Sequence, residues 1–224
     1  MMTRAEKFWD RIADSYDQTE DRFETLHVQA MEHTKKHLQA GHVVLDYGCA
    51  TGGKAFELAG HVQHIQGIDI SSNMIAGAQR NAAARNIQNV TFAQATLFDE
   101  RYADESFDVV MAFNILHVLP DARQALRRIA ELLKPGGLFI STTPCLREKQ
   151  ALASRLQLSV YLALIVVRLV PNILTRFTFA DVDALFAGGS LQVIETRVFY
   201  HQVSSYFVVA QKIQGTENLA HNAH

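Results

Sequence analysis

The chain has 224 residues, of which 21 are Lys or Arg and 23 Asp or Glu, for a formal net charge of −2; 48% are hydrophobic and 20% charged. That composition excludes a disordered, collagen-like or coiled-coil chain, and the near-neutral charge argues against broad electrostatic capture of nucleic acid, so no nucleic-acid partner is expected. The length suits one large domain or at most two small ones, and two cysteines, Cys49 and Cys145, are too few for a disulfide framework and read as reduced thiols.

In chain order, residues 1–40 read as helical and precede the sheet. Within them Trp9 and Tyr16 lie seven residues apart, two helical turns, and so share a face. His33 and His37 are four apart with no third ligand beside them; they read as solvated surface histidines, and no metal is expected. Val43–Tyr47 is strand-like and runs at once into a Gly-rich turn, Gly48–Gly53, with a helix over Lys54–Ala59. His64–Ile70 is the second strand, and Ser71 or Ser72 caps a helix reaching about Arg85. Val90–Gln94 and Phe107–Phe113 follow as the third and fourth strands. Asp121 opens an amphipathic helix through Leu133, which Lys134-Pro135-Gly136-Gly137 ends, and Leu138–Thr142 is the fifth strand.

Strand and helix alternating at this spacing predict parallel βαβ units with helices on both faces and right-handed crossovers. The chain ends differently. Leu191–Tyr200 and Val203–Lys212 are joined only by His201 and Gln202, which makes an antiparallel hairpin. The expected fold is α/β: a Rossmann-like three-layer sandwich with a seven-stranded, mostly parallel sheet and an antiparallel C-terminal hairpin. Residues 1–224 form a single domain in this reading. Its parts are a helical cap (1–40), a core (41–143), an apolar helical insert or lid (144–180), a helix and hairpin (181–212) and a polar, frayed tail (213–224).

The N-terminus has no apolar core of signal-peptide type, and a cytoplasmic protein is expected. The stretch 156–167, LQLSVYLALIVV, lies between Arg155 and Arg168 and is too short to span a bilayer as a helix. A helix apolar nearly all round must be covered. Three covers are open: the rest of the domain or a dimer partner, an apolar acceptor beneath it, or a membrane surface met with the help of Arg155, Arg168 and Arg176. Monomer and homodimer are both compatible with the sequence.

The chemistry concentrates in Val43-Val44-Leu45-Asp46-Tyr47-Gly48-Cys49-Ala50-Thr51-Gly52-Gly53. A strand that runs through small residues into a helix lets backbone amides approach a ligand closely. Asp69 ends the next strand, where an ionised carboxylate can accept from both hydroxyls of a ribose diol. Gly48, Ala50 and Gly53 also fit the dinucleotide pattern G-x-A-x-x-G. The KPGG turn, Phe107-Asp108-Val109-Val110 and the terminal hairpin weigh against that pattern.

The motifs VLDYGCATG, GIDIS-x-x-MI, SFDVV and LLKPGG, in that order, resemble those of class I S-adenosylmethionine-dependent methyltransferases, most closely the small-molecule group that includes ubiquinone and menaquinone biosynthesis enzymes. The resemblance covers about Phe8 to Thr143 and again Phe177 to Lys212. It implies S-adenosyl-L-methionine as cofactor and methyl transfer to a small, apolar or lipid-like molecule. In that frame Gly48, Cys49, Ala50 and Gly52 line the methionine part and Asp46 helps hold its amino group. Asp69 binds the ribose, Ile70 and Met74 flank the adenine, and the Leu97 amide meets a ring nitrogen. Thr96 stands where the family usually has an acid facing the adenine amino group, and Ala50 replaces the middle glycine. Asn114 and Ile115 line the cofactor and open to the acceptor, while Trp9 and Tyr16 cover the pocket. His117, just past the fourth strand, is the candidate general base for a hydroxyl acceptor, with a locally packed histidine as the other reading. His201 at the hairpin tip is a weaker candidate. The rival functions are a nicotinamide-dependent oxidoreductase and a non-catalytic S-adenosylmethionine-binding module.

Overall fold

The structure, a computed structural model, describes residues 3–16, 24–166, 174–201 and 203–213. Its elements are α1 (Arg4–Ile12), α2 (Glu24–Lys35), β1 (Val43–Tyr47), α3 (Gly53–Leu58), β2 (His64–Asp69), α4 (Ser72–Ala84), β3 (Val90–Gln94) and β4 (Phe107–Phe113). They continue with α5 (Ala122–Leu132), β5 (Leu133–Pro144), α6 (Leu152–Val166), α7 (Phe179–Phe186), β6 (Leu191–Tyr200) and β7 (Ser204–Lys212). The polar tail from Gln214 and the segment 167–173 lie outside the described residues.

Strand residues point alternately to the two faces, so a strand covered by helices on both sides is apolar throughout. Val44 and Leu45 in β1 are both fully buried, yet they enter different clusters. Leu45 packs with Val110, Leu126 and Ile129 of α5 and Val182 and Phe186 of α7. Val44 packs with Met111, Ala30 and Met31 of α2 and Ala55 and Leu58 of α3. These clusters are the two interlayer cores of the three-layer sandwich.

The seven strands lie in the order β3-β2-β1-β4-β5-β7-β6. β1 through β5 are parallel, whereas β7 runs antiparallel to both β5 and β6. Chain order therefore reverses between β1 and β4, and the crevice beyond their C-terminal ends is where such sheets hold ligands.

Three local expectations are corrected. Lys134-Pro135-Gly136-Gly137 does not separate helix from strand: α5 stops at Leu132 and the four residues lie inside β5. Phe107 pairs with Leu133 and Val109 with Leu138, so these four residues bulge opposite Asp108. Gly136 takes the left-handed φ of 76° that the bulge requires. Lys134 Nζ donates to Asp108 Oδ1 at 2.8 Å and the Val43 amide to Asp108 Oδ2 at 2.8 Å, which ties the bulge to the start of β1.

The terminal hairpin turns through three residues, not two. Tyr200 pairs with Ser204, and Val203 instead bridges Gln150. His33 and His37 are half-buried and paired rather than free on the surface, because α2 and the turn after it lie over the sheet edge. His37 Nε2 is 3.0 Å from Glu195 Oε2 on β6, His33 Nδ1 is 3.5 Å from Glu195 Oε1, and the His33 ring packs against Phe199 and Phe207.

A Cβ at Gly137 would sit 2.9 Å from the Lys134 carbonyl and 3.0 Å from the Asp108 carbonyl, whereas one at Gly41 would meet nothing within 4 Å. Gly137→Ala should therefore cost about 1–3 kcal/mol in urea unfolding while Gly41→Ala stays near neutral.

Candidate functional site

The loop after β1 is built to bring backbone, not side chains, to the crevice. Gly48, Ala50 and Gly52 have φ of 74°, 47° and 88°. The Gly48 and Cys49 amides both donate to the Ile68 carbonyl, at 2.8 and 3.0 Å, which pins the loop to β2. Close approach fixes the glycine at 48: a Cβ there would lie 2.7 Å from Ile115 Cδ1. Ala50 holds a left-handed conformation that costs an L-residue free energy. Its amide donates to Asp69 Oδ2 at 3.2 Å, and its backbone is thereby tied to the carboxylate.

Asp69 sits at the end of β2. Its Oδ1 accepts from the Ser71 amide at 2.8 Å. Burial pushes its carboxyl upward, opposed by the amides of Ser71, Ala50 and Ile70. Ser71 is also the N-cap of α4, accepting from the Met74 amide.

These elements enclose a cavity of about 570 Å³ lined by Gly48, Ala50, Asp69, Ile70, Met74, Thr96, Asn114, Ile115, Trp9 and Tyr16, among others. Every one of those ten was expected at the site from sequence. Four expected residues lie off its wall. The Cys49 thiol points toward Gly67 and donates to the Ala50 carbonyl at 3.7 Å. Gly52 gives room to the Phe56 and Phe92 rings. Leu97 is wholly buried in the core. Asp46 is the penultimate residue of β1, buried with Lys54 and Asp69 as its charged neighbours. Its Oδ2 has no hydrogen-bond partner among the described residues.

A second cavity of about 340 Å³ adjoins the first and shares Trp9, Tyr16 and Asn114 with it. Its other walls are mostly apolar, with Ile12, Leu26, Met31, Phe113 and Leu146, and carry Lys54, His27 and His117 as polar points. Asn114 stands at the junction with a φ of 57°; its amide donates to the Thr142 carbonyl at 2.9 Å, and Thr142 Oγ1 donates to its Oδ1 at 3.2 Å.

His117 is held by its carbonyl, which accepts from the Thr175 amide at 2.6 Å. Burial pushes its imidazole down to about 4, so the ring is neutral at neutral pH. Its Nδ1 is buried with no partner among the described residues. His201, at the hairpin tip, lines neither cavity.

From the second cavity a groove of about 310 Å³ leads outward past Trp9, His117, Leu146 and Val203 to Ser154, Gln157 and Leu158 of α6. The described part of α6 is not core: Leu152, Leu156 and Val160 are 80%, 67% and 54% exposed. Lys54 and His27 were not singled out from sequence. Lys54 sits in the first turn after the Gly-rich loop, a position that could have flagged it; His27 had no local signal. Among the described residues, no group of three or more His, Cys, Asp or Glu could hold a metal ion, and no helix is long and apolar enough to cross a membrane.

A sheet that reverses order at β1 and β4, with a Gly-rich loop and an acidic strand end at the reversal, defines a nucleotide-type site on a doubly wound fold. Residues 38–174 match the family model described as a methyltransferase domain, and the chain belongs to that family. The uncharacterized methyltransferase YcgJ of Bacillus subtilis (strain 168) is 33% identical over 102 residues, 46% of this chain and 40% of that protein. Aklanonic acid methyltransferase DauC of Streptomyces sp. (strain C5) is 30% identical over 146 residues, 61% of this chain and 66% of that protein. Demethylmenaquinone methyltransferase of Listeria monocytogenes is 31% identical over 140 residues, 60% of this chain and 59% of that protein. The chain thus spans less than two thirds of these relatives. The crystal structure of YcgJ superposes with a TM-score of 0.67 at 20% identity, over 84% of this chain and 100% of that one.

The Asp46 carboxyl is raised to about 7, first by burial and then by Asp69, against the pull of Lys54. A group raised in the folded state stabilises fully below its unfolded value and loses that contribution as pH rises through the folded one. Asp46→Asn should therefore melt above the parent at about pH 8, by about 1 kcal/mol or more, and the gap should shrink as pH falls toward about 4. Thermal melts across that range check the sign.

Proposed function

We propose that this chain transfers a methyl group from S-adenosyl-L-methionine to a small, apolar or lipid-like molecule. The observation that carries this reading is the pair of cavities meeting at Trp9, Tyr16 and Asn114. One is walled by the Gly-rich loop and Asp69, the other by apolar side chains. Two substrates held on either side of one junction are set up for in-line transfer.

The donor set fits the cofactor. Asp69, already oriented by two amides, suits a ribose diol, and the buried Oδ2 of Asp46, without a hydrogen-bond partner among the described residues, lies behind the wall and suits an ammonium held through the loop backbone or a water. Ile70 and Met74 offer apolar faces for a base. Thr96 lines the same cavity and can accept a hydrogen bond there without charge assistance. When bound, the cofactor supplies a methyl group activated on a sulfonium. The protein's part is to position the acceptor and exclude water. Trp9 and Tyr16 close the junction from above, Asn114 sets its floor, and His117, kept neutral by burial, lines the acceptor side as an uncharged wall rather than as a base.

The family match gives no support to a nicotinamide oxidoreductase. A non-catalytic binding module separates from an enzyme by assay over a panel of hydroxylated apolar metabolites. S-adenosylhomocysteine should bind in isothermal titration, and Asp69→Ala should weaken it by roughly tenfold or more, since hydrogen bonds to a charged group are each worth about 1.5–3 kcal/mol. No heat at millimolar ligand sinks the reading.

The groove under α6 supports an entry route for the acceptor, and α6 supports contact with a lipid surface. Leu152, Leu156 and Val160 recur every fourth residue on one helical face, and 149–160 contain Lys149 and Arg155 but no acid. Leu156→Asp should reduce co-sedimentation with anionic vesicles while S-adenosylhomocysteine affinity stays within about twofold. Equal co-sedimentation of parent and variant defeats the membrane contact and leaves the methyltransferase reading untouched.

A further inference from the structure

The helix that covers both cavities is lightly held. No residue of α1 is fully buried. The helix keeps its own shape through a capping box between Thr3 and Glu6, so it can dock or leave as a unit. Its apolar face, with Trp9 and Ile12, and the following Ala13 and Tyr16 rest on Ala50 and Met74, which are themselves walls of the larger cavity.

Asp10 fastens it to the start of α4. Asp10 Oδ1 accepts from Ser71 Oγ at 2.5 Å and from the Asn73 amide at 3.2 Å, and Asn73 Nδ2 donates to the Asp10 carbonyl at 3.0 Å. Ser71 is fully buried, and its hydroxyl and amide serve three partners. Its hydroxyl donates to Asp10 and accepts from the Met74 amide, while its own amide donates to Asp69. Asp69 in turn accepts from Ala50. An unbroken chain of hydrogen bonds thus runs from the cover, through Asp10, Ser71 and Asp69, to the loop.

We propose that Asp10 is a positioning residue that couples closure of the α1 cover to the carboxylate that holds the ribose, so that retention of the cofactor and docking of the cover are one event. The inference rests on the S-adenosylmethionine reading above. Asp10 touches no reacting atom; it acts by fixing Ser71, which fixes one oxygen of Asp69, and by holding Trp9 and Tyr16 over the junction. Charge is part of the device, because a carboxylate at the first turn of α4 meets the positive end of a 13-residue helix.

The chain has a single tryptophan, Trp9, so its emission reports on the cover alone. In the parent, saturating S-adenosylhomocysteine should shield Trp9 from acrylamide. Asp10→Ala should leave Trp9 as quenchable in saturating ligand as without it, and should speed ligand dissociation about tenfold with the association rate changed by no more than about twofold. Asp10→Asn, which keeps an acceptor oxygen without the charge, should fall between. Asn73→Ala loosens the same contact from the other side and carries the test if Asp10→Ala fails to fold. Parental dissociation and quenching in a folded Asp10→Ala or Asn73→Ala overturn the coupling. A parent that does not bind S-adenosylhomocysteine overturns the cofactor reading, and the coupling with it.

Discussion

Two amides ending on one carbonyl organise this molecule. Gly48 and Cys49 both donate to the Ile68 carbonyl, and that pair of hydrogen bonds turns the chain sharply at the top of β1. The turn needs positive φ at Gly48, Ala50 and Gly52. It opens the space beside Asp69 and sets the loop backbone against Ile115. The cavities and the cover follow from it: Ala50 bonds Asp69, Asp69 bonds Ser71, and Ser71 bonds Asp10. Shifting the loop would move each of these groups.

The site keeps groups that a purely structural core would not. Among the described residues, one oxygen of buried Asp46 and one nitrogen of buried His117 have no hydrogen-bond partner. Burial raises the first and lowers the second, so each is driven toward its neutral form, at a cost to stability. The compensation lies elsewhere. Asp108 pairs with Lys134 and the Val43 amide, which hold its carboxyl below the ordinary range despite burial. Glu195 takes Arg197 and His37, and its carboxyl is lowered in the same sense. Fully buried Phe139 on β5 and Phe207 on β7 fill the two opposite cores where the antiparallel edge closes the sheet.

Much of the fold was legible because strand burial on both faces leaves short, continuous apolar runs. VVLDY, HIQGID and FDVVMAF gave their strands to within a residue. The caps were legible as Ser71 or Ser72 for α4 and Asp121 for α5; in the structure Ser71 and Asp121 accept from the amide of the third residue on. Lys134-Pro135-Gly136-Gly137 misled, because a turn composition serves a bulge inside a strand as well as a turn between elements. His33 and His37 misled for a different reason: their partner, Glu195, is 158 residues from His37, and helical spacing carries no sign of it.

What the sequence determined by itself is the set of local instructions: apolar period, caps, the small residues after β1 and the acid after β2. These depend on neighbours within a few positions, and they sufficed for the sheet, the crevice, the Gly-rich loop and Asp69; the other residues of the cavity wall were what the resemblance to methyltransferases implied. Only the tertiary structure decided which side chains reach that crevice. It buried the Cys49 and Leu97 side chains, left one carboxylate oxygen of Asp46 without a hydrogen-bond partner among the described residues, and brought Asp10 within hydrogen-bond reach of Ser71, 61 residues away. Those outcomes depend on how strands stack and where helices cross, and side-chain direction at a loop is settled by packing from elements far along the chain.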